Sequence, residues 1–330
     1  MWGWLNEGRK AQSFRWRADQ FGPFLERNVM ALHDLARPNG FFIDVWSSIG
    51  LYESWTHDGQ LHDRLLHRRI WGASFNWIRD VLGDHAPQIS ESGHDQLIGW
   101  LDGAQANHLR VDAEPPPGTP SWTVWSIRCE GSERIPWSDM AHHDRFILHG
   151  AGYESRYTGG LRADLHGIYS DDYIATEVLT GHPGMVAHAF NRDVARKYYL
   201  TNCLMKRLAM ERIETVSFDG DTLHRQQVRW EGVGDIRVNR GAASWHAAGR
   251  ELPQYGYYAA LGEVAGAIER RDGVIVEWSK SPEAWYVNAR PVVPHGLPVS
   301  VSLESLRLTG DRAFAVELRW EIAGPIEEDL

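Results

Sequence analysis

The sequence is short of cysteine. Cys129 and Cys203 are the only two in 330 residues, which excludes a disulfide scaffold and a cysteine-rich zinc site and suits a reducing compartment. An excess of basic charge is also missing, since 34 Lys and Arg stand against 44 Asp and Glu, a net charge of -10. Phosphate binding draws on surplus cations, so no nucleic-acid partner is expected. No run of eighteen apolar residues occurs, and no segment reads as a membrane span. The start, Met1-Trp2-Gly3-Trp4-Leu5-Asn6-Glu7, lacks the basic and apolar regions of a signal peptide, so the expected location is the cytoplasm. A Gly-x-Ser-x-Gly elbow is absent, which speaks against a serine hydrolase. Gly152, Gly159 and Gly160 lack the strand–glycine–helix context of a phosphate-binding loop.

What abounds is tryptophan, at sixteen residues. Several lie in segments too polar to read as core. Sugar rings present apolar C–H faces that stack on indole, so a Trp-rich cleft suits a carbohydrate, while large cores use the same residue for packing. Both readings stand for the group as a whole. Trp71 and Trp77 fall within an amphipathic helix and read as packing.

The length suits two domains. From Asp19 to Ala36, Phe21, Phe24, Leu25, Val29, Leu32 and Leu35 recur at helical spacing, and Arg37-Pro38-Asn39-Gly40 stops the helix. A short buried strand, Phe41-Phe42-Ile43, then ends at Asp44. The pattern repeats. Leu65, Leu66, Ile70, Ile78, Val81 and Leu82 mark a helix closed by Gly83-Asp84, and the strand Pro87-Gln88-Ile89-Ser90 ends at Glu91. Such alternation implies βαβ units and a parallel sheet.

Pro115 to Pro120 reads as a loop, and Arg134-Ile135-Pro136-Trp137 as a third parallel strand. Helical spacing returns from Tyr173 to His188 and from Val194 to Ile213. Beyond Glu214 the period becomes two, with strands predicted at residues 236–240, 274–278, 284–289, 299–308 and 313–322. The expected architecture is α/β plus β: a (β/α) barrel, or the C-terminal part of one, over residues 1–215, then an antiparallel β-sandwich-like domain over 216–330. Only three parallel strands are legible before residue 215, whereas a full barrel needs eight. An incomplete barrel, with a missing N-terminal segment or self-association covering the open edge, is therefore expected.

Active sites of such barrels lie at the C-terminal ends of the strands. Asp44 and Glu91 both meet that condition. Glycoside hydrolysis needs two flanking carboxyl groups, one ionised at the anomeric carbon and one protonated at the leaving oxygen. Capping a helix or pairing with an arginine are the plainer roles for the same residues. His142-His143-Asp144 could suggest a metal, but adjacent residues seldom face one ion and no second cluster has zinc-like spacing.

The segments Phe41 to Val45, Tyr52-Glu53-Ser54 and Ile89-Ser90-Glu91-Ser92-Gly93-His94-Asp95 together resemble the barrel of the α-N-acetylgalactosaminidase group of glycoside hydrolases, families 129 and 101, and their bacterial relatives. The resemblance implies that Asp44 is the nucleophile and Glu91 the acid/base of a retaining enzyme on an α-linked sugar, an N-acetylhexosamine among the candidates. Trp46 and Tyr52, following Asp44, are expected to contact substrate. His94 and Asp95 either bind sugar hydroxyls or, for Asp95, cap the next helix. Further matches are His143-Asp144, assigned to substrate binding, Asp172-Tyr173 to His182-Pro183, and Val238-Asn239-Arg240. A structural calcium is known in part of the group, with no ligands assignable here and no other cofactor expected. The alternative function is a non-catalytic carbohydrate-binding protein of the same fold.

Overall fold

The structure is a computed structural model that describes residues 3–6, 11–44, 50–91, 95–105, 135–149, 167–186, 190–290, 299–310 and 313–322. The chain divides into two compact units, Met1–Asn288 and Ala289–Leu330.

The first unit begins with an antiparallel hairpin of β1 (Gly3–Asn6) and β2 (Ala11–Phe14). Helix α1 (Gly22–Ala36) has Pro23 in its first turn, where a missing N–H costs nothing, and ends at Arg37 in the left-handed conformation (φ 43°). Val29 is buried, but Phe24, Leu32 and Leu35 are exposed, Leu35 by 85%. The apolar spacing therefore identified the helix but overstated its buried face.

β3 (Phe41–Ile43) follows, then the small hairpin of β4 (Ser54–Trp55) and β5 (Leu61–His62). Helix α2 (Arg64–Leu82) starts where the Asp63 carboxylate accepts the Leu66 N–H at 2.7 Å, and stops at Gly83 (φ 104°). It buries His67, Trp71, Phe75 and Ile78 along one face, so Trp71 packs as its spacing implied. β6 (Gln88–Ser90) is tied beneath this helix by the Gln88 amide, which donates to the Phe75 carbonyl at 2.7 Å.

Two further strands complete the parallel sheet, β7 (Gly103–Gln105) and, after helix α3 (Trp137–His142), β8 (Ile147–His149). The order is β3-β6-β7-β8, parallel throughout. Among the described residues this sheet has four strands. Gly103 is required where it stands, because a Cβ there would lie 2.4 Å from the Ile147 carbonyl oxygen of the neighbouring strand.

Of the strand expected at Arg134–Trp137, the described residues 135–137 form no strand. Trp137 opens α3, with Pro136 as the residue before its first turn and Asp139 within that turn, a pattern that favours helix initiation. The proline loop at 115–120 and the glycines at 152, 159 and 160 lie outside the described residues.

Helix α4 (Asp171–Thr180) is capped by the Ser170 hydroxyl, which accepts the Tyr173 N–H at 3.2 Å. It is shorter than the spacing to His188 predicted, because Gly181 turns left-handed (φ 70°). Every residue from Asp172 to Thr180 is buried, as for a helix enclosed on all sides. Tyr173 joins the core under the parallel sheet, with Trp71, Phe75, Leu101 and Leu148. Ile174, Val178 and Leu179 join the second core. Helix α5 (Arg192–Leu208) also ends before the predicted Ile213, which instead starts the next strand.

The second core lies against a curled antiparallel sheet of β9 (Ile213–Phe218), β10 (Arg225–Trp230), β11 (Gly234–Asn239), β12 (Trp245–Ala247), β13 (Arg250–Leu252), β14 (Tyr257–Leu261), β15 (Val264–Arg271), β16 (Val274–Lys280) and β17 (Trp285–Ala289). Its main path runs β12-β13-β15-β14-β11-β10-β9, with β16 beside β15 and β17 beside β16. Alternation such as buried-intermediate-buried along β14 is that of a half-covered sheet. Leu200, Leu204 and Leu208 of α5 pack with Val228, Ile236 and Ile268 of the strands.

In the second unit, β18 (Val299–Gly310) and β19 (Ala313–Ile322) form one long antiparallel hairpin with bulges near Glu304 and Thr309. No helix among the described residues is long and apolar enough to cross a membrane.

Candidate active site

Strand register brings the two predicted carboxylates to one end of the parallel sheet. Phe41 lies opposite Gln88, Phe42 opposite Ile89 and Ile43 opposite Ser90. Asp44 and Glu91 are the next residue on each strand, so both leave the sheet at its C-terminal edge, on neighbouring strands. The Ser90 hydroxyl donates to the Ile43 carbonyl, tying the two strand ends together one residue before the carboxylates. Glu91 is buried, 8% exposed, whereas Asp44 is exposed.

Beneath this edge the sheet is held by polar contacts that composition alone does not suggest. The Asp102 carboxylate accepts the Gln88 N–H at 2.8 Å and the Arg79 guanidinium at 3.2 Å. Arg79 also donates to the Trp100 carbonyl at 3.1 Å, joining α2 to the start of β7. The contacts of Ser90, Gln88 and Asp102 hold the sheet together and were missed by sequence reasoning. The only prior signal was polarity at strand positions expected to be apolar.

The remaining predicted residues separate into three groups. Trp46 and His94 lie outside the described residues. Asp95 is exposed at the start of a single 3₁₀ turn, Asp95–Leu97. Tyr52 is committed to packing: its hydroxyl donates to the Trp16 carbonyl at 2.5 Å, and its ring meets His67 edge-on at 4.4 Å under the Arg15 guanidinium. Burial pushes the phenol above its usual pKa.

His67, on the buried face of α2, was also missed. Its Nε2 is 3.1 Å from the Ser54 hydroxyl, and burial, with the nearby charge of His62, holds its pKa below the ordinary 6.5 against the pull of Asp19 and Asp63. A histidine among Trp71, Phe75 and Ile78 at helical spacing was the available sign.

His143 and Asp144 stand elsewhere. They precede β8, on the side where the parallel strands begin, opposite the edge from which Asp44 and Glu91 emerge. The His143 imidazole is buried edge-on against Trp230 at 4.7 Å, with Nδ1 2.7 Å from the Glu211 carbonyl and Nε2 3.3 Å from that of Gly181. Asp144 pairs with Arg145 at 3.4 Å and Arg212 at 3.7 Å. Nearby, buried Asp139 and His182 pair directly. These contacts fasten α3 to the end of α4 and the start of the antiparallel sheet. Among the described residues no group of three or more His, Cys, Asp or Glu could hold a metal ion.

No family model matches the chain, and no curated protein matches it. Solved structures of the alpha-N-acetylgalactosaminidase NagBb from Bifidobacterium bifidum are similar to it. The ligand-free form has 16% identity over 67% of this chain and 33% of that chain, with a TM-score of 0.47. The GalNAc complex has 14% identity over the same shares, with a TM-score of 0.48. The chain thus spans about a third of the length of those neighbours. So slight a likeness carries no argument about activity, which rests on the chain's own residues.

Proposed function

We propose that the chain carries the catalytic pair of a retaining glycoside hydrolase acting on an α-linked sugar, with an N-acetylhexosamine as the first candidate. The observation that carries this reading is the in-register termination of β3 and β6 at Asp44 and Glu91. Neighbouring strands lie about 4.8 Å apart. Carboxyl groups on adjacent strand ends therefore suit the roughly 5–5.5 Å of a retaining pair better than the 6.5–9.5 Å of an inverting one. In this reading Asp44, exposed beyond β3, acts as the nucleophile and Glu91, buried beyond β6, as the acid/base.

In the first step the Asp44 carboxylate bonds to the anomeric carbon as the glycosidic C–O bond breaks, and Glu91 transfers its proton to the departing oxygen. In the second step Glu91, now a carboxylate, takes a proton from water. The resulting hydroxide attacks the anomeric carbon and releases Asp44. The resemblance of residues 41–45 and 89–95 to the α-N-acetylgalactosaminidase group supports the same assignment. In this reading the four-stranded sheet belongs to a (β/α) barrel, and Trp46, His94 and Asp95, which follow the two strands in sequence, contact the sugar. Tyr52, His143 and Asp144 serve packing instead.

The test is a screen of aryl α- and β-glycosides, followed by trapping with a 2-deoxy-2-fluoro glycosyl fluoride of the preferred sugar. Mass spectrometry should find the sugar attached to Asp44. Label on another residue would overturn the assignment, and sugar binding without turnover would favour the carbohydrate-binding alternative.

A further inference from the structure

A second site lies away from the strand-end carboxylates, between α5 and the edge of the antiparallel sheet. A groove of about 480 Å³ opens there, within the roughly 300–1,000 Å³ of ligand clefts. One wall is the outer face of α5, where Tyr198, Asn202 and Lys206 recur every fourth residue. The other is the β16–β17 hairpin, whose turn is fixed by Ser281 accepting the N–H groups of Glu283 and Ala284 at 3.3 and 3.2 Å. The Ser279 hydroxyl donates to the Tyr199 carbonyl at 2.6 Å and locks the two walls together. The groove is built before any ligand arrives.

Its lining is aromatic and exposed. Tyr199 of α5 and Tyr286 of β17 lie nearly parallel, 12° apart with ring centres at 6.3 Å, and Tyr198 meets Tyr199 edge-on at 5.3 Å. Trp285 is 78% exposed and Tyr199 56%. The same groove holds polar groups of every kind. Among the described residues the side chains of Asn202, Lys206 and Glu283 make no hydrogen bond or ion pair, so an amide, an ammonium and a carboxylate all remain available.

This combination selects a ligand class. A lipid or an apolar helix would desolvate Lys206 and Glu283 without compensation. A nucleic acid would meet a chain of net charge -10. A neutral oligosaccharide satisfies both aspects, since its C–H faces lie on indole and phenol while its hydroxyls donate to carboxylate and accept from amide and ammonium. We infer that this groove is a carbohydrate-binding site separate from the proposed catalytic edge, in which Trp285 and Tyr286 stack on sugar rings. It stands on its own geometry and holds whether or not Asp44 is a nucleophile.

The test titrates the full chain with maltotriose, N,N′,N″-triacetylchitotriose, lactose and N-acetylgalactosamine, following tryptophan fluorescence and heat. At least one should bind saturably, with affinity falling about tenfold or more in Trp285→Ala and staying unchanged in Asp44→Asn. Because Trp285 is exposed on an edge strand, its replacement should keep the parental Tm. If the Tm moves, Asn202→Ala on the opposite wall gives the same reading. Failure of all four sugars, an unchanged affinity in Trp285→Ala or Asn202→Ala, or loss of binding in Asp44→Asn would overturn the inference. So would saturation by a polyproline peptide in place of any sugar. Hydrolysis of an aryl glycoside by Trp285→Ala should equal that of the parent, so groove and catalytic edge can fail independently.

Discussion

The antiparallel region and the helices packed on it bury acidic residues against cations, whereas of the two carboxylates at the strand ends of the parallel region Glu91 is buried and Asp44 exposed. In the antiparallel region Glu277 accepts from Arg196 at 2.8 Å, Glu269 from Arg250 at 2.7 Å, and Asp172, at the start of α4, from Arg240 at 3.1 Å. Glu177 pairs with Lys197 at 2.8 Å, both fully enclosed, and burial pushes the carboxyl up and the ammonium down. Those groups sit within strands and helices and bind one element to another. In the parallel region Asp44 and Glu91 are the first residues beyond two strands, where the backbone leaves the sheet. In this molecule a buried carboxylate is most often one that joins two elements, and the proposed chemistry rests instead on position at the C-terminal edge of a parallel strand.

Substitution can break that comparison. Asp44→Asn should lower turnover by about 10⁴-fold, as loss of a nucleophile does, with an unchanged Tm. Glu277→Gln, which disturbs the Arg196 and Asn288 contacts, should do the reverse, losing about 1–3 kcal/mol of stability with little change in kcat. Initial rates on an aryl glycoside and urea unfolding of both variants decide the matter. If Glu277→Gln cost as much turnover as Asp44→Asn, the distinction between the regions would collapse.

Arg240 comes next in size. Its guanidinium donates to Asp172 and to the Thr176 hydroxyl at 2.9 Å with no exposure to water. Arg240→Met leaves Asp172 buried without this cation and should cost about 3–5 kcal/mol in urea unfolding. Adding Asp172→Asn should recover part of the loss. No recovery would mean that Arg240 acts through packing alone.

Glu91→Gln sharpens the division of roles within the proposed catalytic edge. Hydrolysis of substrates with poor leaving groups should fall about 10²-fold, while activated aryl glycosides, which need little protonation, form the glycosyl-enzyme at nearly the parental rate. Equal losses on both substrate types in burst-phase measurements would assign Glu91 another role.

The smallest effect expected is a pH dependence from His67. Its folded pKa lies below the ordinary 6.5, so at pH values under 6.5 the unfolded chain takes up a proton that the folded chain does not. Stability is full above that value and declines as the pH falls through the folded pKa. Urea midpoints between pH 8 and 5 should show this decline, and His67→Gln should flatten it. A midpoint that rises on acidification would contradict the burial argument.

Much of the local structure was legible because it rests on local rules. The spacing around Val29 and from Leu65 to Leu82 revealed α1 and α2, and the breaks at Arg37 and Gly83 ended them where residues adopt positive φ. β3 was visible as a short apolar run, and β6 as a short strand, after those breaks. β7 was not, because Gly103-Ala104-Gln105 has neither β-branched residues nor alternation. Its membership depends on Gly103 admitting the backbone of β8. β10, β14 and β15 likewise escaped notice, β10 among polar residues such as Gln226 and Gln227, since a strand paired on both sides needs little propensity of its own.

The candidate site divides in the same way. A sequence can place a carboxylate at the end of a short strand, and it placed Asp44 and Glu91 so; periodicity and chain-breaking residues act within a few positions of themselves. Whether two such runs become neighbours, in parallel and in register, is decided by pairing across 47 residues of chain between Ile43 and Ser90. The same sequence set His143 and Asp144 beside the other candidates as equals. Only the tertiary structure, by starting β8 just after them and pairing it parallel to β7, sent them to the opposite edge and buried the imidazole against Trp230, because which strands pair in a sheet is decided by long-range hydrogen bonding.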